Sequence, residues 1–376
     1  MNTILDEISL GGIVTIRDQL IALQKEGKKI YRLESGDPSF SVAPHISEAI
    51  TKALKEGYTH YTLGAGIIQL REAICEKLYK DNKIKATPNN VFVTNGAMHA
   101  LYIVFRALCS SGTQILVPTP TWTETADNVV LADGRPIYYK YDDISTASNK
   151  ASAIVINSPH NPTGMVISEK DMNNIIDFAS RNNMYIISDE AYEHVLYDNA
   201  KHISPASFGY DKVISIYSFS KSYAMSGLRL GYIVSPKNEL SVNLAKLLRC
   251  TVNGINSATQ WGGVAALQGP QEYIETMRTE YQKRRDILCN ALKDSKSISP
   301  IKPQGAFYLW TKINQEQNAS LEDNSWNMTK SLIQKGIGSA PGIVFGPGGA
   351  NHIRFAFSCS TEQIIEASYL LNKILK

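Results

Sequence analysis

The sequence predicts an α/β protein: a large domain with a mainly parallel, seven-stranded sheet flanked by helices, plus a smaller α+β domain. Three observations carry this. Short β-branched runs alternate with polar or Gly/Pro loops and helical patterns through the middle of the chain. The runs are apolar almost throughout, as in strands buried on both faces. Beyond about Pro270 the alternation stops, and long amphipathic helices surround a few short strand patterns.

In order, the runs are "VFVT" from Val91, "ILVP" from Ile115, "PIYYK" from Pro136, "AIVIN" from Ala153, "YIIS" from Tyr185, "VISIYS" from Val213 and "GYIVS" from Gly231. Helical patterns such as "AMHALYIVFRAL" and "EKDMNNIIDFASRNN" separate most of them. The later part holds the long helix "EYIETMRTEYQKRRDILCNALKD", then "GAFYLW", the helix "SWNMTKSLIQKG", the strand "HIRFAFS" and a final helix "TEQIIEASYLLNKIL". The expected large domain is 44–270. The expected small domain joins 1–43 to 271–376.

Bulk properties narrow the function. A net charge of +3 over 376 residues, with no Lys/Arg block, argues against nucleic acid or an anionic membrane as partner. Five scattered cysteines with no CxxC pair suggest neither a disulfide framework nor a zinc site, and fit a reducing cytoplasm. The start "MNTILDEISLGG" lacks the basic and apolar regions of a secretory signal. No apolar run approaches the ~18 residues of a membrane span. The glycosylation sequons at Asn318 and Asn327 read as chance occurrences.

In a parallel sheet, ligands bind beyond the carboxyl ends of the strands. The residues following each run are therefore the candidates. "VFVT" leads to Gly96 at a helix start, whose free N–H groups suit a phosphate. "ILVP" leads to Trp122, "AIVIN" to Asn161, "YIIS" to Asp189 and Tyr192, and "VISIYS" to Lys221. Arg229 follows eight residues after Lys221, and neither cation has a carboxylate nearby in sequence. Singly, each has an ordinary explanation: a surface charge for Lys221 or Arg229, a cap for Asp189, core packing for Trp122, a turn for Asn161 or Gly96, loop packing for Tyr61. Together, as complementary types at strand ends, they match one ligand. Pyridoxal 5′-phosphate asks for an amine at its aldehyde, an acid at its pyridine nitrogen, a stacking face, donors at its phenolic oxygen, and an arginine with helix N–H groups at its phosphate.

The motifs "LESGDPSF", "YTLGAGIIQLREAI", "TNGAMHAL", "NSPHNPTG", "SDEAYEHVLY", "SFSKSYAMSGLRLGY", "GAFYLW" and "RFAFS" span nearly the whole chain. In this set the sequence resembles the class I aminotransferases of the fold-type I pyridoxal-phosphate family, and among them the bacterial aspartate and aromatic aminotransferases. The resemblance implies transfer of an amino group from an L-amino acid to a 2-oxo acid, such as 2-oxoglutarate, by a ping-pong mechanism. It implies Lys221 as the cofactor-bonding lysine and proton shuttle, Asp189 as the pyridinium partner, and Tyr192 and Asn161 as ligands of the phenolic oxygen. Trp122 resembles the stacking aromatic. Gly96, Ala97, Met98, Ser218 and Arg229 resemble the phosphate set, completed by Tyr61 from the partner of a homodimer. Arg354 resembles the arginine that grips the substrate α-carboxylate, with Gly36, Asn161 and Trp122 lining the substrate side.

Two departures bear on specificity. Met98 stands where one bacterial subgroup has a lysine for the distal carboxylate, which favours an apolar, aromatic or broad donor over aspartate. His99, next to it, is expected to be structural. The connection "YDDISTASNKAS" is shorter than in relatives. Ile13 and Val14, from the N-terminal segment, are candidates for shaping the donor pocket. A β-lyase or decarboxylase on the same fold is the alternative reaction. A non-catalytic cofactor-binding module, as in aminotransferase-like transcription regulators, is the other.

Overall fold

Strand β1 (Tyr31–Arg32) precedes the seven strands of the large sheet. These are β2 (Val91–Thr94), β3 (Thr113–Pro118), β4 (Gly134–Tyr139), β5 (Ala153–Asn157), β6 (Tyr185–Asp189), β7 (Val213–Ser218) and β8 (Gly231–Val234). The later strands are β9 (Ile298–Ile301), β10 (Tyr308–Ile313), β11 (Ile337–Gly338), β12 (Ala340–Pro341) and β13 (His352–Ala356). The structure is a computed structural model describing residues 3–8, 11–236, 239–314 and 324–375. The sequon at Asn318 lies outside the described residues, and that at Asn327 falls on the helix Asn324–Gln334.

The large sheet has the order β2-β8-β7-β6-β5-β3-β4. Only β8 runs against the others, pairing antiparallel with both β2 and β7. All seven expected strands are present, with ends shifted by at most two residues; β6 extends through Asp189. Successive side chains of the central strands point to opposite faces. Ile115, Val117, Val155 and Ile187 join one core with the helices Gly96–Leu108 and Glu239–Thr251. Leu116, Ile154, Ile156 and Ile186 join a second core with the helix Glu169–Arg181. Cover on both faces explains why these strands read as continuous apolar runs.

Strands β12, β13, β10 and β9 form an antiparallel sheet, and β1 pairs in parallel with β11. The helix Glu272–Leu292 buries Met277, Tyr281, Arg284, Arg285, Leu288 and Leu292, spaced by three, four or one residues along one stripe. Arg285 is wholly buried and grips Asp198 through two hydrogen bonds of 2.7 and 2.9 Å. The helix packs on Thr361–Ile374. Between Tyr141 and Thr146 the short connection forms only 3-10 turns. Among the described residues no helix is long and apolar enough to cross a membrane.

A second buried polar cluster lies behind β7. Lys77 Nζ bonds the Glu193 carboxylate and Asn82 Oδ1, and stands 4.4 Å from the Tyr217 ring centre. Glu190 accepts from Ser204 Oγ at 2.9 Å and contacts His202 Nε2 at 2.7 Å. Its oxygens are therefore satisfied within the protein.

Candidate active site

Sheet polarity brings the candidates together. The carboxyl ends of β2, β5, β6 and β7 present Thr94, Asn157, Asp189 and Ser218 along one edge. Gly231, at the start of antiparallel β8, is in register with both Thr94 and Ser218, so Arg229 arrives at that same edge. A cavity of about 350 Å³ opens there. Its walls include Gly36, Ala97, Met98, Trp122, Asn161, Asp189, Tyr192, Ser218, Lys221, Arg229 and Arg354.

One end is built for an anion. Gly96, at φ +80°, starts the helix Gly96–Leu108 and leaves the first N–H groups free. A Cβ on Gly96 would come within 2.5 Å of Arg229 Nη2, and one on Gly231 would press on the backbone of Gly96 and Ala97. Both glycines thus keep this hollow open. Arg229 is held by the carbonyls of Ser226 and Asn95 at 2.8 and 3.3 Å. Ser218 Oγ caps the one-turn helix Phe219–Ser222, accepting from Ser220 N at 3.2 Å.

That turn carries Lys221 into the cavity, where Nζ donates to the Gly36 carbonyl at 2.7 Å. Burial lowers its pKa to about 8, with Arg229 and Arg354 adding to the effect and Asp37 opposing it. Asp189 accepts from Ala191 N at 3.1 Å. Burial raises its carboxyl to about 6, against the pull of the Ala191 N–H and Lys221. Asn157 Nδ2 donates to the Asp189 carbonyl at 2.9 Å, and Asn157 Oδ1 accepts from Asn161 N at 2.8 Å. One amide thus fixes two neighbouring strand ends.

The opposite wall comes from the smaller sheet. Arg354 on β13 is 2% exposed. Its Nη1 donates to Asn161 Oδ1 at 2.9 Å and its Nη2 to the Glu34 carbonyl at 2.7 Å. The guanidinium lies between the rings of Tyr308 and Phe345, 4.3 and 4.8 Å from their centres. Its Nε is buried without a partner. Among the described residues no carboxylate is within ion-pair distance. A buried cation left without an anion is costly, and a ligand carboxylate reaching this arginine would offset that cost.

Of the expected residues, Tyr61 stands apart: it is 87% exposed and does not line this chain's cavity. Gly96 shapes the anion end from behind. His99 faces away, accepting from Asn95 N at 3.2 Å and meeting Thr251 Oγ1. Ile13 and Val14 do reach the cavity. Asn157, Tyr308, Glu34, Glu124 and Arg17 also line it and were not among the expected site residues. Asn157 carries the same strand-end signal as the others. Tyr308 and Arg17 sit on elements whose approach to the sheet no local pattern reveals.

A family model described as "Aminotransferase class I and II" matches residues 28–369. An aspartate aminotransferase of Pyrococcus horikoshii is 33% identical, over 92% of this chain and 91% of that protein. An aromatic-amino-acid aminotransferase of Thermococcus litoralis is 32% identical, over 92% of each. The solved structure of an aspartate aminotransferase from Thermus thermophilus with maleate superposes with a TM-score of 0.92 at 27% identity, covering 100% of this chain and 99% of that one.

Proposed function

Because the chain belongs to the class I and II aminotransferases, we propose that it uses pyridoxal 5′-phosphate to move an amino group from an L-amino acid to a 2-oxo acid such as 2-oxoglutarate. The observation that carries this reading is the pairing, in one cavity, of a lysine of lowered pKa with a buried arginine that lacks a carboxylate.

The residues present fit the cofactor. The hollow kept open by Gly96 and Gly231 suits its phosphate, held by the helix N–H groups of Gly96, Ala97 and Met98, by Ser218 and by Arg229. Asp189 would hold the pyridine N–H, Trp122 the ring face, and Tyr192 and Asn161 the phenolic oxygen. When bound, the cofactor supplies an electron sink for the charge left on the substrate α-carbon.

The protein's own part follows from position and charge. Arg354 orients the substrate through its α-carboxylate, with Gly36, Asn161 and Trp122 shaping that side. Lys221, with a pKa near 8, is neutral often enough to accept the α-proton at Nζ and return it. Asp189, ionised once it has a cationic partner, keeps a proton on the ring nitrogen. The apolar Ile13, Val14 and Met98 favour an apolar, aromatic or broad donor. Arg17, which lines the cavity with its side chain half exposed beside Asp18, would meet the distal carboxylate of a dicarboxylic 2-oxo acid.

The reading includes a cytoplasmic homodimer with Tyr61 entering the partner's phosphate site; the exposed Tyr61, Leu63, Leu54 and Tyr58 support such an interface. It also includes the division into a cofactor domain, 44–270, and a smaller domain of 1–43 with 271–376.

The test is a visible absorbance spectrum of the purified protein, repeated with single amino acids. Transamination requires that a donor convert the bound cofactor to its amine form and release its 2-oxo acid. Release of ammonia or carbon dioxide instead would mean a lyase or decarboxylase. No cofactor band, even with cofactor added, would remove the roles given to Lys221.

A further inference from the structure

The hydroxyl of Tyr308 has no part in the roles above, yet it is buried at their junction. Tyr308 Oη lies 2.7 Å from Tyr192 Oη, and the ring of Tyr308 stacks under the Arg354 guanidinium at 4.3 Å. Space for this phenol is reserved across the cavity: a Cβ on residue 36 would collide with Tyr308 Oη. Tyr308 therefore touches both the residue read as the phenolic-oxygen ligand and the residue read as the carboxylate grip.

Two hydroxyls at this distance share one proton, so one O–H donates and the other is left to find an acceptor. The cation over the Tyr308 ring draws electron density from it and makes Tyr308 the stronger donor. With Tyr308 donating, the Tyr192 proton is turned away from Tyr308 and toward the cavity. The second hydrogen bond of such a chain is strengthened by the first.

Resting on the cofactor reading above, we propose that Tyr308 is a positioning residue. Its hydroxyl donates to Tyr192 and commits the Tyr192 proton to the cofactor's phenolic oxygen, while its ring seats Arg354. A proton donated to that oxygen withdraws the negative charge that keeps the adjacent lysine-bonded nitrogen protonated. Losing the relay should therefore raise the pH at which that nitrogen deprotonates.

The experiment is a pH titration of the visible absorbance of the cofactor-loaded protein, comparing wild type, Tyr308→Phe, Tyr192→Phe and the double variant. Tyr308→Phe should raise the titration midpoint by about half to one pH unit, the scale of one net hydrogen bond. Because the ring over Arg354 is kept, donor KM should stay within about twofold, whereas Tyr308→Leu should raise it about tenfold. In a relay, the double variant shifts no further than Tyr192→Phe alone. Additive shifts, or an unmoved midpoint in Tyr308→Phe, overturn the proposal while leaving the cofactor reading intact. A wild-type protein with no visible band overturns both.

Discussion

Asn161 and Arg354 are joined across the cavity: Nη1 of the arginine donates to Oδ1 of the asparagine at 2.9 Å. Asn161 belongs to the loop after β5 of the large sheet, Arg354 to β13 of the smaller one. The bond ties the residue proposed as a cofactor ligand to the residue proposed as the substrate's carboxylate grip. It uses the amide oxygen of Asn161 and leaves its NH₂ group for a ligand.

Asn161→Asp should therefore harm binding more than Asn161→Ala. A carboxylate at this site would pair with Arg354 and compete with the substrate. Donor KM is expected to rise by more than about tenfold, in keeping with a charge-assisted hydrogen bond. Steady-state kinetics of the two variants decide the order.

Lys221→Ala should lower turnover by at least about 10³-fold, because both the covalent anchor and the proton carrier go. The anion hollow remains, so cofactor should still bind noncovalently. Equilibrium dialysis with absorbance checks retention.

In the wild type, only the neutral Lys221 amine attacks an aldehyde. Its folded pKa of about 8 lies below the ordinary 10.5. The rate at which cofactor-free protein bonds pyridoxal phosphate should thus rise about tenfold per pH unit up to about 8, then level. Stopped-flow absorbance gives the midpoint; one near 10.5 would contradict the burial argument.

Arg354→Lys keeps the charge but loses the fork. Donor KM should increase about 10- to 100-fold, with a smaller change in kcat. Arg354→Met removes a buried, uncompensated cation, so the cofactor-free variant should be as stable as wild type or more so while losing substrate binding. Urea unfolding and calorimetry with donor test the two halves of that statement.

Glu193→Gln leaves Lys77 buried without a counter-charge and should destabilise the fold by about 3–5 kcal/mol. Burial alone would raise the Glu193 carboxyl. Lys77, with His194 and His202, overrides it and brings the pKa down to about 2 from 4.5. A depressed carboxyl pKa adds stability above its unfolded value, and that contribution fades as pH falls from about 4.5 toward 2. Urea midpoints over this range should drop in wild type and stay flatter in the variant.

Much of the candidate site's cavity lining was legible because of how parallel strands end. Lys221, Asp189, Asn161, Trp122 and Ser218 each close or follow a strand, and strand polarity alone gathers them. Asn157 has the same origin, but its place as the last residue of "AIVIN" disguised it as a strand position. Tyr308 lies in an apolar run where an aromatic reads as core. Glu34, Glu124 and Arg17 acquire meaning only when the N-terminal segment and the helix starting at Thr123 close on the sheet. Tyr61 shows the limit of one chain: its ring is exposed and outside this chain's cavity, so the role proposed for it needs a second copy. Met98, expected from the resemblance to stand in place of a lysine, does line the cavity and meets Asn128 Nδ2 at 3.3 Å.

The pairing of Tyr31 with Ile337 sets an order of events on the ribosome. Every strand of the large sheet emerges before β11 exists. At about 5–20 residues per second, the N-terminal segment waits tens of seconds for its mate. Throughout that time Ile16 and Leu20 lack Ile333, their later neighbour in a small apolar cluster. Arg354 is made later still. Lys221 is therefore made long before the arginine that shares its cavity, and the cavity lining is incomplete until β13 has formed.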